Sequence, residues 1–176
     1  EQVESIRAQT HEEWSLWIRD DGSTDATAEL ANRLATQDER VSLVHDDAAR
    51  LGSGPSFGML LQGLPGGVDY VFCCDADDVW FPDKIKRSLD AMREAEAEGR
   101  GPLLVHSDLR VADSALNLIH DSYWELVGIN PNDTSFQGLF VHNVATGPTI
   151  LMNRELFERV TPIPQEAAYQ DWWITL

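Results

Sequence analysis

Val68-Asp69-Tyr70-Val71-Phe72-Cys73-Cys74 runs without a break into Asp75-Ala76-Asp77-Asp78, and this change from apolar to acidic decides the fold class. Apart from Asp69, the first seven residues are apolar on both faces. A strand reads this way when helices cover it on either side, as in the largely parallel sheet of an α/β protein. In open α/β sheets ligands bind beyond the carboxyl ends of the strands, which is where these acids fall. Asp75 and Asp77 share a side if the strand continues that far. Carboxylates crowded in this way repel one another, so a cation among Asp75, Asp77 and Asp78 is expected. Hard oxygen ligands with room for water suit Mg²⁺ or Mn²⁺ bridging a diphosphate. The competing reading is a solvated acidic loop or a helix cap, but the apolar run immediately before the acids argues for a crevice at a sheet edge.

Upstream of this stretch the apolar spacing alternates between helix and strand. It predicts a helix over Val3 to Gln9, a strand over Trp14 to Arg19, a helix over Ala26 to Ala35 with Leu30 and Leu34 one turn apart, and a strand over Val41 to His45. A Gly/Ser/Pro loop, Gly52 to Pro55, then leads into a short helix carrying Phe57, Leu60 and Leu61, which Pro65-Gly66-Gly67 ends. Downstream, Pro82 suits the first turn of a helix reaching Glu98, with Ile85, Leu89 and Met92 on one face. Beyond Gly101 the rhythm loosens. Leu103 to His106, Leu109 to Ala112 and Thr149 to Met152 read as short strands, and Thr134 to Val141 as a short helix.

A second acidic motif, Asp20-Asp21-Gly22-Ser23-Thr24-Asp25, also follows a strand and opens a helix. Alone it is ordinary turn and cap chemistry. Paired with Asp75 to Asp78 it gives two acidic strand ends able to converge on one crevice, one accepting from a base or ribose and the other holding metal.

The net charge of −17, from 13 Lys+Arg against 30 Asp+Glu, repels nucleic-acid backbones and anionic lipid, so no nucleic-acid partner is expected. An anionic substrate must then be neutralised locally, by a divalent cation or by placed basic residues. The longest apolar runs fall far short of the roughly 20 residues that cross a bilayer. The two cysteines, Cys73 and Cys74, are adjacent in the apolar run and read as buried thiols.

With these motifs in place, the sequence resembles the family-2 glycosyltransferases. The resemblance rests on Ser5-Ile6-Arg7-Ala8-Gln9-Thr10 with Trp14, on Asp20 to Asp25, and on Asp75-Ala76-Asp77-Asp78-Val79-Trp80-Phe81-Pro82-Asp83-Lys84. Trp80 to Lys84, Asn143 to Arg154 and Asp171-Trp172-Trp173 are most similar to the rhamnosyltransferase-like branch. What it implies is a GT-A fold, a mostly parallel central sheet flanked by helices. Residues 1–176 would form a single domain, with 1–100 as the nucleotide-binding half and 101–176 as the acceptor-side half. The family opens with a strand lining the nucleotide pocket and continues beyond its catalytic aspartate. The expectation is therefore a fragment without that first strand, whose activity in isolation stays open.

The resemblance also assigns roles. Asp21 corresponds to the aspartate that reads the nucleotide base, with Asp20 beside it. Asp75, Asp77 and Asp78 correspond to the ribose- and metal-binding acidic motif, of DxD type. Asp171 corresponds to the general base that deprotonates the acceptor hydroxyl, so that oxygen attacks the anomeric carbon opposite the departing nucleoside diphosphate. The implied activity is metal-dependent inverting transfer from a nucleoside-diphosphate sugar to a saccharide or lipid-linked acceptor, as in polysaccharide and cell-envelope biosynthesis. Its implied place is the cytoplasm, with membrane association limited to a peripheral contact at the inner membrane face. Where the family carries Gly-Cys-Thr, this sequence has Gly147-Pro148-Thr149.

Other residues invite chemistry less strongly. His106 and Asp108 lack a third ligand nearby and favour a structural role. His142 reads as a loop histidine, Trp124 as core, and Arg50 as a phosphate contact or a solvated arginine. Trp172 and Trp173 adjoin the candidate base and divide evenly between sugar stacking and core. Two alternatives to sugar transfer stand at this point. A phosphatase of the haloacid-dehalogenase type would use Asp75 as a covalent nucleophile, but leaves Asp20 to Asp25 unexplained. A non-catalytic nucleotide- or carbohydrate-binding module would keep the pocket without turnover.

Overall fold

The computed structural model describes residues 1–46, 50–99, 101–133 and 135–176. Its first half follows the alternation read above: helix α1 (Gln2–Arg7), strand β1 (Leu16–Arg19), helix α2 (Thr27–Gln37) and strand β2 (Val41–Val44). β1 and β2 pair in parallel, from Leu16 opposite Val41 to Arg19 opposite Val44. A parallel pair needs a crossover, and α2 supplies it.

Helix α3 (Ser53–Gly63) begins inside the stretch expected to be a loop. Pro55 is tolerated because it sits in the first turn, where a backbone N–H has no intrahelical partner to lose. Gly52 caps the helix at φ +83, a left-handed conformation that suits glycine. Gly54 has a different reason: a Cβ there would lie 2.7 Å from the Ala167 carbonyl oxygen. The start of α3 thus packs directly on the chain leading to the C-terminal helix.

Strand β3 (Tyr70–Phe72) and helix α4 (Lys84–Glu98) flank the acidic turn, followed by β4 (Leu104–Val105) and the antiparallel hairpin of β5 (Val111–Ala112) and β6 (Leu118–His120). Helices α5 (Tyr123–Val127) and α6 (Phe136–Val141) lead through a 3₁₀ turn, Gly147–Thr149, into β7 (Leu151–Asn153), α7 (Arg154–Val160) and α8 (Gln170–Thr175). The helix expected to start at Thr134 starts at Phe136, where the Ser135 side chain accepts from the Gly138 amide. Thr134 itself lies outside the described residues.

One expectation is corrected in its pairing. In sequence β3 reads as a parallel strand, but it pairs antiparallel with β7, which also pairs antiparallel with β4. The middle strand is therefore β7, with Leu151 and Met152 both fully buried. Apolarity on both faces reports coverage by helices, not the direction of a neighbour. Met152 and Val71 face one cluster with Leu61, Val160 and Ile174 from α3, α7 and α8. Leu151 faces the other, with Ile6 of α1, Trp80, and Ile85, Leu89 and Met92 of α4. Among the described residues no helix is long and apolar enough to cross a membrane. Cys73 and Cys74 are free thiols, as read from the sequence; burial pushes Cys73 well above the usual range and Cys74 to about 11.

Candidate functional site

Asp20 and Asp21 leave the end of β1 in a turn built by their own carboxylates. Asp20 Oδ2 accepts from the amides of Gly22 and Ser23 at 3.2 and 3.1 Å. Hydrogen bonding with Ser23 leads the effects that hold its carboxyl below the usual range. Its other oxygen, Oδ1, is buried without a protein partner. Gly22 turns the chain at φ +80, and Arg50 grips its carbonyl with Nε and Nη2 at 3.0 and 2.8 Å. Together Asp21, Gly22, Ser23, Thr24, Asp25 and Arg50 line an open cavity of about 400 Å³.

Asp21 is held from three sides. The amides of Leu51 and Gly52 donate to its two oxygens at 2.8 Å each, and Arg19 Nη1 donates to Oδ1. Burial alone would raise its pKa; these donors outweigh burial and hold it at about 2. Arg19 carries the arrangement. Its side chain is 1% exposed and also donates to Asp46, beyond the end of β2, at 2.8 and 3.2 Å, and to Ser56 Oγ of α3 at 2.8 Å. Sequence reasoning missed it because its partners lie 27 and 37 residues away.

Asp75, Asp77 and Asp78 occupy the turn after β3, and Asp171 faces the same place from the first turn of α8. Asp75 shows the convergence most clearly. Burial, then the charges of Asp78, Asp77 and Asp171, push its carboxyl up to about 6. Burial and Asp77 likewise raise Asp78, whose Oδ2 is buried without a hydrogen-bond partner. Gly147 separates the two arms. Its amide donates to Asp171 Oδ2 at 3.1 Å, and a Cβ on it would stand 3.8 Å from both Asp75 Oδ2 and Asp171 Cβ, and 3.3 Å from Gln170 Nε2. The absent side chain leaves open the gap between the two carboxylates.

A counter-charge lies behind this centre that sequence reading passed over. Lys84, at the start of α4, has its ammonium 5.1 Å from the Trp80 ring centre and 5.6 Å from that of Phe72. Burial lowers its pKa to about 8, against the opposing pull of Asp78 and Cys74. It leaves the acidic centre underneutralised, since three acidic side chains crowd Asp75 alone.

Among the described residues no three His, Cys, Asp or Glu side chains form a ready-made metal cage. The donor set nevertheless fits a divalent cation arriving with a diphosphate, because Mg²⁺-like ions are held by one or two carboxylates plus phosphate oxygens and water. The unpartnered Asp78 oxygen and the mutual repulsion at Asp75 are what such a cation would relieve.

Beside Asp171 a second cavity, of about 280 Å³, is lined by Tyr123, His142, Asn143, Thr146, Tyr169 and Trp172 among others. Trp172 and Trp173 both anchor their indole N–H groups, to the carbonyls of Leu139 and Val160, but only Trp172 lines the cavity. His106 and Asp108 play the structural parts expected of them. His106 stacks edge-on against Trp124, and Asp108 Oδ1 accepts from the amides of Tyr123 and Trp124. The structure thus gathers Asp75, Asp77, Asp78 and Asp171 in one centre, while Asp21 lines a cavity of its own at the end of β1.

Comparison with known proteins gives the family and the fold. The family model for glycosyl transferase family 2 matches residues 1–161. An uncharacterized glycosyltransferase of Rickettsia felis is 34% identical over 95 residues, 53% of this chain and 15% of that protein. The dTDP-rhamnosyl transferase RfbG of Shigella flexneri is 30% identical over 94 residues, 52% of this chain and 32% of that protein. The chain thus spans about a third or less of these relatives. In structure it resembles the mannosyltransferase PcManGT from Pyrobaculum calidifontis, in complex with GDP-Man and Mn²⁺, with a TM-score of 0.63 at 18% identity over 97% of this chain and 45% of the other. That likeness establishes the GT-A fold.

Proposed function

The chain belongs to glycosyl transferase family 2, and from that membership we propose that it binds a nucleoside-diphosphate sugar and transfers the sugar, with inversion, to a hydroxyl of a saccharide or lipid-linked acceptor. The observation that carries this reading is the meeting of Asp75 and Asp171 across Gly147. In inverting transfer the leaving diphosphate and the attacking oxygen lie on opposite sides of one carbon. A site therefore needs a diphosphate-holding group and a base facing each other across a gap.

In this scheme residues 1–100 hold the donor and 101–176 the acceptor, within one domain. Asp21, fixed by Arg19, meets the base in the cavity that Arg50 also lines, with Asp20 beside it shaping the turn through the Gly22 and Ser23 amides. Asp75, Asp77 and Asp78 hold Mg²⁺ or Mn²⁺ with the diphosphate; the cation, when bound, offsets the charge of the departing phosphate. Asp171, oriented by the Gly147 and Trp172 amides, takes the proton of the acceptor hydroxyl. The aromatic cavity of Tyr123, Tyr169 and Trp172 receives the acceptor sugar beside it. Support for a donor of this class comes from the family match and from the GDP-Man carried by the structural neighbour. Relatives named for teichuronic acid and succinoglycan biosynthesis favour a polysaccharide as the product. This would place the work on the cytoplasmic side of a membrane, with peripheral contact. The family match favours transfer over the phosphatase and the non-catalytic module.

Two variants test the division of labour. Asp77→Asn is expected to abolish the Mn²⁺-dependent part of nucleoside-diphosphate affinity in calorimetry with GDP, UDP and dTDP. Asp171→Asn is expected to leave that affinity intact and to lower sugar transfer by the whole protein on the order of 10² or more, as when a general base is lost. Full transfer by Asp171→Asn removes it from the mechanism. Metal-independent binding by the parent removes the metal role.

A further inference from the structure

The segment that leaves the acidic turn is bound at four successive points by α1 and the residues just after it. The Trp80 amide donates to Ser5 Oγ at 3.0 Å, and the Phe81 carbonyl accepts from Gln9 Nε2 at 2.7 Å. The Pro82 carbonyl accepts from the Thr10 amide at 2.8 Å, and the Ile85 amide donates to Gln9 Oε1 at 3.0 Å. Gln9 is only 6% exposed, and its Nε2 donates to the Ser5 carbonyl as well. Ser5 Oγ in turn donates to the Gln2 carbonyl at 2.7 Å.

Two features show that these bonds set position beyond filling a core. The N-cap residue of α4, Asp83, makes no side-chain cap bond. The orphan amide of Ile85 in the first turn is capped instead by a side chain 76 residues upstream. Apolar packing anchors the segment only at Trp80 and Ile85, whereas Val79 and Phe81 are 45% and 55% exposed. To these two apolar anchors the polar clamp adds direct bonds to the backbone at residues 80, 81, 82 and 85, next to the exit of the acidic turn at Asp78.

We propose that Gln9 and Ser5 are positioning residues of the acidic turn, fixing where Asp77 and Asp78 stand and thereby the metal-assisted part of nucleoside-diphosphate affinity. The proposal rests on the reading of Asp75 to Asp78 as the metal and diphosphate site. It differs from a general contribution to folding, because a clamp on this turn acts on metal-assisted binding while the cavity at the end of β1 keeps its own contacts.

The test is titration of Gln9→Ala and Ser5→Ala against GDP, UDP and dTDP, each in Mn²⁺ and again in EDTA, with thermal unfolding recorded alongside. For Gln9→Ala we expect affinity in Mn²⁺ to fall about tenfold, roughly the effect of one lost charge-assisted contact, and affinity in EDTA to stay within about twofold. Ser5→Ala, which removes the acceptor of the Trp80 amide and the local donor to the Gln2 carbonyl, should move in the same direction by less; it decides the matter if Gln9→Ala does not fold. Parental affinity in Mn²⁺, or an equal loss in Mn²⁺ and EDTA, overturns the clamp while leaving the site itself standing. A parent that binds equally in both conditions overturns the metal reading and the clamp with it.

Discussion

Replacing Asp75 with Asn should make the protein more stable and less able to bind its ligand. Its carboxyl, ordinarily near 3.8, is pushed to about 6 by burial and by Asp78, Asp77 and Asp171. A native pKa above the unfolded one means that the folded state holds the proton more tightly, so the ionised form costs stability. That cost is absent below 3.8, grows as pH rises through the interval up to about 6, and is complete above it. Two units correspond to about 3 kcal/mol at most, and solvent screening of a half-buried group reduces this to about 1–2 kcal/mol. For a chain of 176 residues, Asp75→Asn should then raise the melting temperature by about 2–8 °C at pH 7.5 in EDTA. The gap should close as the pH is lowered towards 4, where the parent's own Asp75 is protonated. Mn²⁺ with a nucleoside diphosphate should raise the parent's melting temperature by mass action and leave that of the variant nearly unchanged. The assay is scanning fluorimetry or calorimetry over that pH range. A variant less stable than the parent at pH 7.5, or a gap independent of pH, refutes the electrostatic account of this centre.

Gly147→Ala should fold with a melting temperature within a few degrees of the parent, since its backbone lies outside the left-handed region and the new Cβ crowds only Gln170 Nε2 at 3.3 Å. In the whole protein its transfer rate should still fall about 10–10²-fold, because misplacement by about 1 Å at the reacting gap costs that much; a parental rate would show that the gap does not hold the reacting sugar. Arg19→Met should lower stability by about 2–4 kcal/mol, since it removes the cation that Asp21 and Asp46 share. The deficit should narrow in acid, where the parent loses the stabilisation that its depressed Asp21 supplies above 3.8 as pH falls towards about 2. Denaturant midpoints at pH 7 and pH 3 measure both, and a deficit of equal size at the two pH values excludes the ion cluster as its cause.

How far the sequence reveals this site depends on the distance over which each residue acts. The acidic turn and the Asp20 to Asp25 turn are legible because each follows its own strand directly, so period and composition change within a few residues. Arg19 reads as one more strand residue. Its meaning comes from Asp46 and Ser56, brought to it by the parallel pairing of β1 with β2 and by the packing of α3. Gln9 is likewise an ordinary residue at the end of an amphipathic helix until the fold carries residues 80 to 85 onto it. Gly147 is legible only as part of a familiar loop; that its missing Cβ separates Asp75 from Asp171 depends on where α8 begins. The direction of β3 is illegible in the sequence for a related reason, since helices on both sides make a strand apolar whichever way its neighbour runs. Chemical groups are thus written locally, whereas the residues that aim them are written in pairs far apart. The aiming residues, Arg19, Gln9 and Gly147, are where the division between binding and transfer proposed for this chain is most open to experiment.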